Sequence, residues 1–254
     1  MAITNQIPPQ ERKGFFIVFE GIDGCGKSTQ ATKLFQFLED RGIKAALTRE
    51  PGSYGDEFCS AIRSLIKHFQ DDINTLFLFL ADRDYHTKNI ILPLLVDNNI
   101  VLSDRYYHST LIYQLDNLIE LIQSSNCSSK AVLEQHGIYN MVTQLNMVAS
   151  HWLYPDLVII PTISNMDVLK QRITKQQSEK DELSIQKNYA LLDLYQTSYH
   201  NLPKYLKEKG YEPNTEYLFV DGELHEDELF QKIWATVRNM ISKTVDEQVG
   251  RPTL

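Results

Sequence analysis

Five short apolar runs recur along the chain, separated by longer stretches whose apolar residues fall at helical spacing. The first, Phe15–Phe19, has no polar position, the pattern of a strand buried on both faces. Ser28–Arg41 follows with Ala31, Leu34, Phe35 and Leu38 on one helical face, and Gly42 stands where a helix-ending glycine is expected. Ala45–Thr48, Ile100–Ser103, Leu157–Ile160 and Tyr217–Val220 are the other predicted strands. Helices are predicted over 56–69, 73–95, 108–123, 130–150, 166–176, 183–209 and 227–242. This alternation predicts an α/β fold in three layers, about five parallel strands with right-handed crossovers and helices on both faces. No repeat or linker divides the chain, and the one serine-rich stretch, 123–130, reads as a surface loop. A single domain over 14–242 is expected, with frayed tails at 1–13 and 243–254.

The 254 residues are 43% hydrophobic and include 13 tyrosines and 11 phenylalanines, which excludes a disordered chain. The longest apolar stretch, Ile90–Val96, is too short to span a membrane and contains Pro93. Met1–Lys13 lacks the apolar segment of a secretory signal, so a cytoplasmic protein is expected. Cys25, Cys59 and Cys127 form no C-x-x-C pair, which argues against a disulfide framework or a cysteine zinc site. A net charge of −8 argues against wrapping nucleic acid and leaves room for a local basic pocket around a small phosphate ligand.

Such a pocket is written at residues 21–28. The sequence GIDGCGKS fits G-x-x-x-x-G-K-[ST] in full, directly after a buried strand and at the start of an amphipathic helix. Gly21, Gly24 and Gly26 allow backbone conformations that turn several N–H groups toward one anion, and the helix opening near Lys27 adds its positive end. Residues 21–29, with Ile22, Asp23, Cys25 and Thr29 between and after the motif positions, are therefore the expected ATP cradle. Lys27 reaches the β- and γ-phosphates, and the Ser28 hydroxyl is a ligand for Mg²⁺. Asp104 ends the apolar strand 100–103. A strand beside the first would bring it near Ser28, where it holds the Mg²⁺ directly or through water; an ordinary N-cap of the next helix is the competing account.

Around these motifs the chain resembles the thymidylate kinase (dTMP kinase) family of P-loop nucleoside monophosphate kinases. The matching segments are FEGIDGCGKSTQ at 19–30, TREPG at 48–52, LFLADR at 78–83, DRYYHSTLIYQ at 104–114, QLN at 144–146 and PDLV at 155–158. The resemblance implies a P-loop NTPase fold, transfer of the γ-phosphoryl group of ATP to dTMP, and a homodimer. It implies that Arg83 and Arg105 grip the acceptor phosphate, that Phe79 stacks on thymine, and that Tyr113 and Gln114 sit at base and sugar. It further implies that Asp23 meets the sugar 3′-hydroxyl and that Glu50, Arg63 and Ser109 help to line the acceptor pocket. Packing alone is the competing account of Phe79 and Tyr113, and solvated helix charge that of Arg63 and Arg83.

Three departures from the family pattern stand out. The family's mobile basic residue is missing both at Gly24 and from the lid at 172–183, where the sequence reads DELS over 181–184; Arg172 and Lys175 are the expected catalytic substitutes, with Lys180 also at hand. A longer, helically patterned segment, 115–143, replaces a glycine-rich loop. The acidic residue after the fourth strand is missing from 161–164. His108, where some relatives carry Asp, is a possible substrate contact, and Cys25 beside a helix N-terminus is a candidate for a lowered thiol pKa. A deoxynucleoside kinase and a nucleotide binder without turnover are the rival readings; a GTP switch would need the Asn-Lys-x-Asp motif that the chain lacks.

Overall fold

In a strand with no polar position, successive side chains must find cover on opposite faces. Phe16 and Val18 of β1 (Phe16–Phe19) pack with one buried cluster, and Ile17 and Phe19 pack with another. In this computed structural model, which describes residues 12–53, 55–68, 72–114, 135–176 and 182–249, the split runs through the whole sheet. The strands are β1, β2 (Ala45–Arg49), β3 (Ile100–Asp104), β4 (Leu157–Thr162) and β5 (Glu216–Asp221), all parallel in the order β2-β3-β1-β4-β5. The α/β three-layer architecture read from the sequence is the one observed.

One face of the sheet is covered by α1 (Lys27–Glu39), through Ala31, Leu34 and Leu38, and by α9 (Glu226–Val249), through Leu229, Phe230, Ile233 and Val237. The other is covered by α3 (Asp72–His86), α4 (Leu92–Val96), α5 (Tyr107–Tyr113), α6 (Gln135–Ala149), α7 (Met166–Gln176) and α8 (Glu182–Glu208). Each fully buried Leu, Ile, Val or Phe contributes about 1.5–3 kcal/mol, so both layers are driven onto the sheet without help from charge pairs. The remaining helix, α2 (Glu57–His68), packs on α3 beside the β2 end of the sheet.

The chain departs from the expected boundaries in four places, one of them the helix predicted over 108–123, which ends at Tyr113 with Gln114 in a turn. The stretch predicted as one helix over 73–95 contains a wider π turn at Thr87–Ile91. It falls just before Pro93, which has no N–H to continue the regular ladder. The C-terminal helix expected to stop at 242 continues to Val249. The expected N-terminal tail is fixed at its inner end: the Arg12 guanidinium donates to the Tyr154 carbonyl and pairs with Asp156, whose other oxygen accepts the Phe16 N–H at 2.8 Å. Of the segment expected at 115–143, residues 135–143 belong to α6 and 115–134 lie outside the described residues, as do 177–181 of the expected lid.

Parallel order with β1 in the centre sets the site. The C-terminal ends of β1 and β3 are neighbours, with Phe19 in register with Asp104 and Arg49 of β2 also in register with Asp104. The loops that leave these ends carry GIDGCGKS, REPG and DRYYHS. They meet in the crevice where ligands of open α/β sheets bind.

Candidate active site

The phosphate loop leaves β1 through three glycines in the left-handed half of backbone space, with φ of 128° at Gly21, 80° at Gly24 and 99° at Gly26. A side chain at Gly24 would also place its Cβ 2.9 Å from Leu169 Cδ1 of α7. These residues must be glycine for the loop to curl, and the curl brings α1 in with no side chain capping its N-terminus. Lys27 is nearly buried and folds back over the loop, donating to the Ile22 carbonyl at 3.4 Å and to Asp23 Oδ1 at 3.2 Å. A cradle is left between Asp23, Gly24, Gly26, Lys27, Ser28 and Thr29, with Ile173 of α7 on its far side. Ile22 and Cys25 turn their side chains into the core and offer the cradle only backbone. Burial pushes the Cys25 thiol up despite nearby Lys27, so the lowered thiol pKa expected from its place beside a helix end is not found.

Asp104, expected as a metal ligand, is placed at the end of β3 in register with Phe19 of β1. It ends the strand beside β1, and its Oδ1 is buried with no hydrogen-bond partner among the described residues. A carboxylate oxygen withheld from both water and protein donors costs free energy unless a cation takes it. Ser28 lines the cradle, and its hydroxyl, like the Asp104 carboxylate, is an oxygen donor of the kind that Mg²⁺ takes.

Next to the cradle a second cleft opens between α3, α5 and the turn after β2. Eight of the nine residues expected to bind the acceptor line it: Asp23, Glu50, Phe79, Arg83, Arg105, Ser109, Tyr113 and Gln114. The ninth, Arg63, lies behind the turn, with its stem against Gly52 and its guanidinium donating to the Pro51 carbonyl at 2.6 Å. The sequence reading missed Pro51, Tyr106 and Thr110, which also line the cleft and adjoin residues it named.

The two arginines of this cleft differ in what they hold. Arg83 is buried and its fork is spent on protein: Nε donates to Glu50 Oε2 at 2.9 Å, Nη2 to Thr110 Oγ1 at 3.1 Å, and Nη1 to Asn146 of α6. Glu50 is further bonded to His86 Nδ1 at 3.0 Å. Burial raises the Glu50 pKa, and the charges of Arg83 and His86 outweigh it and hold Glu50 below its ordinary value. Arg83 therefore forms the wall of the cleft rather than the free phosphate fork expected for it. Arg105 stands at the junction instead. Its guanidinium donates to Ser109 Oγ at 2.8 Å and the Gly21 carbonyl at 3.3 Å, pairs with Asp23, and lies 5.3 Å from the Tyr113 ring centre. Burial of the loop pushes the Asp23 carboxyl up, but Arg105 and then Lys27 more than reverse this and keep it ionised below the usual range.

Below the Glu50 turn, buried Asp82 accepts the Gly52 N–H at 3.3 and 3.2 Å through its two oxygens. Burial, helped by the neighbouring Glu50 charge, pushes its carboxyl up to about 6. Between the ordinary aspartate value and 6 the folded protein holds a proton that the unfolded chain has released, so this group's contribution to stability falls as pH rises through that window. Asp82→Asn keeps an oxygen for Gly52 and removes the titration. Urea midpoints measured from pH 4 to 7 are expected to show a stability advantage of the variant that grows with pH; an advantage that stays constant would mean that Asp82 titrates normally.

Beyond the phosphate loop a third cleft is lined by Gly24, Gly26, Thr29, Gln30, Gly222 and Leu224, and by Arg172. The Arg172 guanidinium donates to the Gly222 carbonyl at 2.7 Å and reaches the Gly24 carbonyl at 3.5 Å. The expected replacement for the lid cation is thus on the outer flank of the loop, away from the second cleft, because α7 packs against that flank. The Lys175 side chain and Lys180 lie outside the described residues. Glu223, just past β5, reaches the loop after β4 and accepts the N–H groups of Ser164 and Asn165 at 2.6 and 2.7 Å, a contact that no local motif announced. His108, a possible substrate contact by sequence, is buried away from the cleft with Nε2 at 2.9 Å from Glu212.

A protein-family model described as thymidylate kinase matches residues 19–233. The thymidylate kinase of Chlorobaculum tepidum is 30% identical over 239 residues, covering 90% of this chain and 99% of that protein. The thymidylate kinase of Nitratidesulfovibrio vulgaris is 30% identical over 89% of this chain and 97% of its own length. That of Caldicellulosiruptor saccharolyticus is 36% identical over 174 residues, 67% of this chain and 74% of the relative.

Proposed function

The chain belongs to the thymidylate kinase family, and on that premise we propose a division of labour between its clefts. The reaction is ATP-dependent phosphorylation of dTMP to dTDP. A 5′-phosphate oxygen of dTMP attacks the γ-phosphorus of ATP in line, and the bond from that phosphorus to the β–γ bridging oxygen breaks, leaving ADP. The acceptor phosphate is largely dianionic at neutral pH, so no side chain need remove a proton first. The protein's task is to hold two polyanions in contact and to balance charge that shifts between them.

The observation that carries this reading is the meeting of the two clefts at Asp23, which lines both, with Arg105 reaching from the acceptor cleft to the phosphate loop. The glycine loop and Lys27 take the β- and γ-phosphates, and Lys27 must exchange Asp23 for them. Arg105 takes the acceptor phosphate. Phe79 and Tyr113 face the thymine and sugar, and the Arg83–Glu50–His86 cluster shapes the base end. Arg172 and the third cleft serve the nucleoside end of ATP. Ser28 and Asp104 would hold Mg²⁺, which when bound neutralises charge on the β- and γ-oxygens.

No helix among the described residues is long and apolar enough to cross a membrane. A cytoplasmic place suits the two described cysteines, which are free and buried, and the net charge of −8 is against nucleic acid as a partner. Exposed apolar residues at Ile73 and Phe77 of α3 and at Met141 and Val148 of α6, helices that pack on each other, support a homodimer built on this pair. The test is ADP release with Mg-ATP and a panel of dTMP, dUMP, dGMP, dCMP, UMP and thymidine. Turnover with dTMP above all others is expected. Turnover with thymidine instead would move the protein to the nucleoside kinases, and ATP binding without turnover would overturn phosphoryl transfer.

A further inference from the structure

Two buried carboxylates lie behind the site, and one histidine stands between them. Glu20 immediately precedes the phosphate loop. Its Oε1 accepts the Tyr106 N–H at 2.8 Å and the Ser109 N–H at 3.3 Å, and its Oε2 accepts Ser109 Oγ–H at 2.6 Å and Tyr199 O–H at 3.0 Å. Glu212 lies before β5. It accepts the phenol protons of Tyr107 and Tyr217 and stands 2.9 Å from His108 Nε2. Both glutamates are fully buried, and so in effect is His108.

Counting protons fixes the ring. Glu212 receives donors on both oxygens, so it is an acceptor throughout, and Nε2 must carry a hydrogen. Nδ1 is buried with no hydrogen-bond partner among the described residues, and the carboxylate oxygen facing it is Glu20 Oε1 at 3.8 Å. A bare lone pair at Nδ1 would face a negative oxygen with no donor; a proton there faces the charge it needs.

We propose that His108 carries a proton on both ring nitrogens and is the shared cation of Glu20 and Glu212, a positioning residue that holds the acceptor side to the phosphate loop. The line of contact is continuous. Glu212 meets His108, His108 faces Glu20, Glu20 accepts from Ser109, and Ser109 accepts from Arg105, which pairs with Asp23 of the phosphate loop. The other titratable groups around the ring are Tyr107, stacked on it at 4.4 Å, Tyr217 at 3.3 Å from Nε2, and Tyr199 beyond Glu20; Lys207 of α8 lies over the Tyr217 ring.

The effect on catalysis rests on the kinase reading above, whereas the charge state is measured without substrate. In protein carrying ¹⁵N-labelled histidine, both ring nitrogens of His108 are expected in the protonated range at pH 7. Glu212→Gln removes one of the two carboxylates at the ring, so the protonated Nδ1 signal at pH 7 should weaken, and kcat/KM for dTMP should fall with it. His108→Gln, checked for folding by circular dichroism, is expected to lower kcat/KM by about 10–100-fold through misplacement of Arg105. An unprotonated Nδ1 at pH 7 overturns the charge assignment even if the kinase reading stands. A Glu212→Gln enzyme whose Nδ1 signal weakens while kcat/KM is unchanged, or a folded His108→Gln enzyme of unchanged kcat/KM, overturns the positioning role. Absence of all turnover would sink the kinase reading and leave the ring measurement to decide the charge.

Discussion

Lys27→Met is expected to lower kcat by about 10³-fold or more, because a fixed cation on the transferring phosphates acts where solvent is largely excluded and where charge moves in the transition state. Methionine keeps the apolar stem in its buried slot, so the melting temperature should change little. The variant has a second consequence. Lys27 and Arg105 both hold the Asp23 carboxylate in the nucleotide-free protein. Removing one leaves Arg105 to keep Asp23 ionised, so dTMP binding measured by calorimetry should stay within a few-fold of wild type while ATP turnover collapses. A kcat within tenfold of wild type would show that Lys27 is not the phosphate clamp.

Arg105→Gly should be equally damaging to activity and surprisingly mild in stability. Arg105 has φ of 76°, a left-handed conformation that side chains rarely adopt. The surroundings enforce it: its N–H donates to the Phe19 carbonyl at 2.9 Å, and its own carbonyl accepts from Ser103 Oγ at 2.7 Å. Holding a residue with a Cβ there costs about 1–3 kcal/mol, a strain that persists because it delivers the guanidinium to the junction of the clefts. Glycine relieves the strain and removes the guanidinium; alanine only removes the guanidinium. Both variants should lose about 10³-fold or more in kcat/KM, as an arginine that stabilises transferring phosphoryl charge is worth that much. In urea, Arg105→Gly should be the more stable of the two. If alanine were the more stable, the left-handed backbone would not be a source of strain. If both kept substantial activity, the cation at the transferring group would have to come from elsewhere, and Lys175 would be the next substitution.

The layers and the nucleotide loop were legible in the sequence because each is dictated within one short segment. Phe15–Phe19 has no polar position, so it can only be a strand covered twice, and GIDGCGKS follows it with glycines where the backbone turns left-handed. Arg83 illustrates what such reading cannot reach. Its place on the second cleft was legible from LFLADR, but its partners are Glu50, Thr110 and Asn146, brought from three other elements. Those contacts turn an expected phosphate fork into a wall. Arg172 shows the same in reverse, since its helix was read correctly over 166–176 while the packing of that helix puts the guanidinium on Gly222, outside the cradle. Glu223 reaches the loop after β4 from beyond a different strand, and His108 finds its two carboxylates at residues 20 and 212. Local pattern determined which segments become strands, helices and the phosphate loop, because backbone period and glycine geometry act over a few residues. Which charged groups are free for substrate and which are spent on each other was decided only by the tertiary structure, because burial sets the cost of a charge and brings its partner from far along the chain.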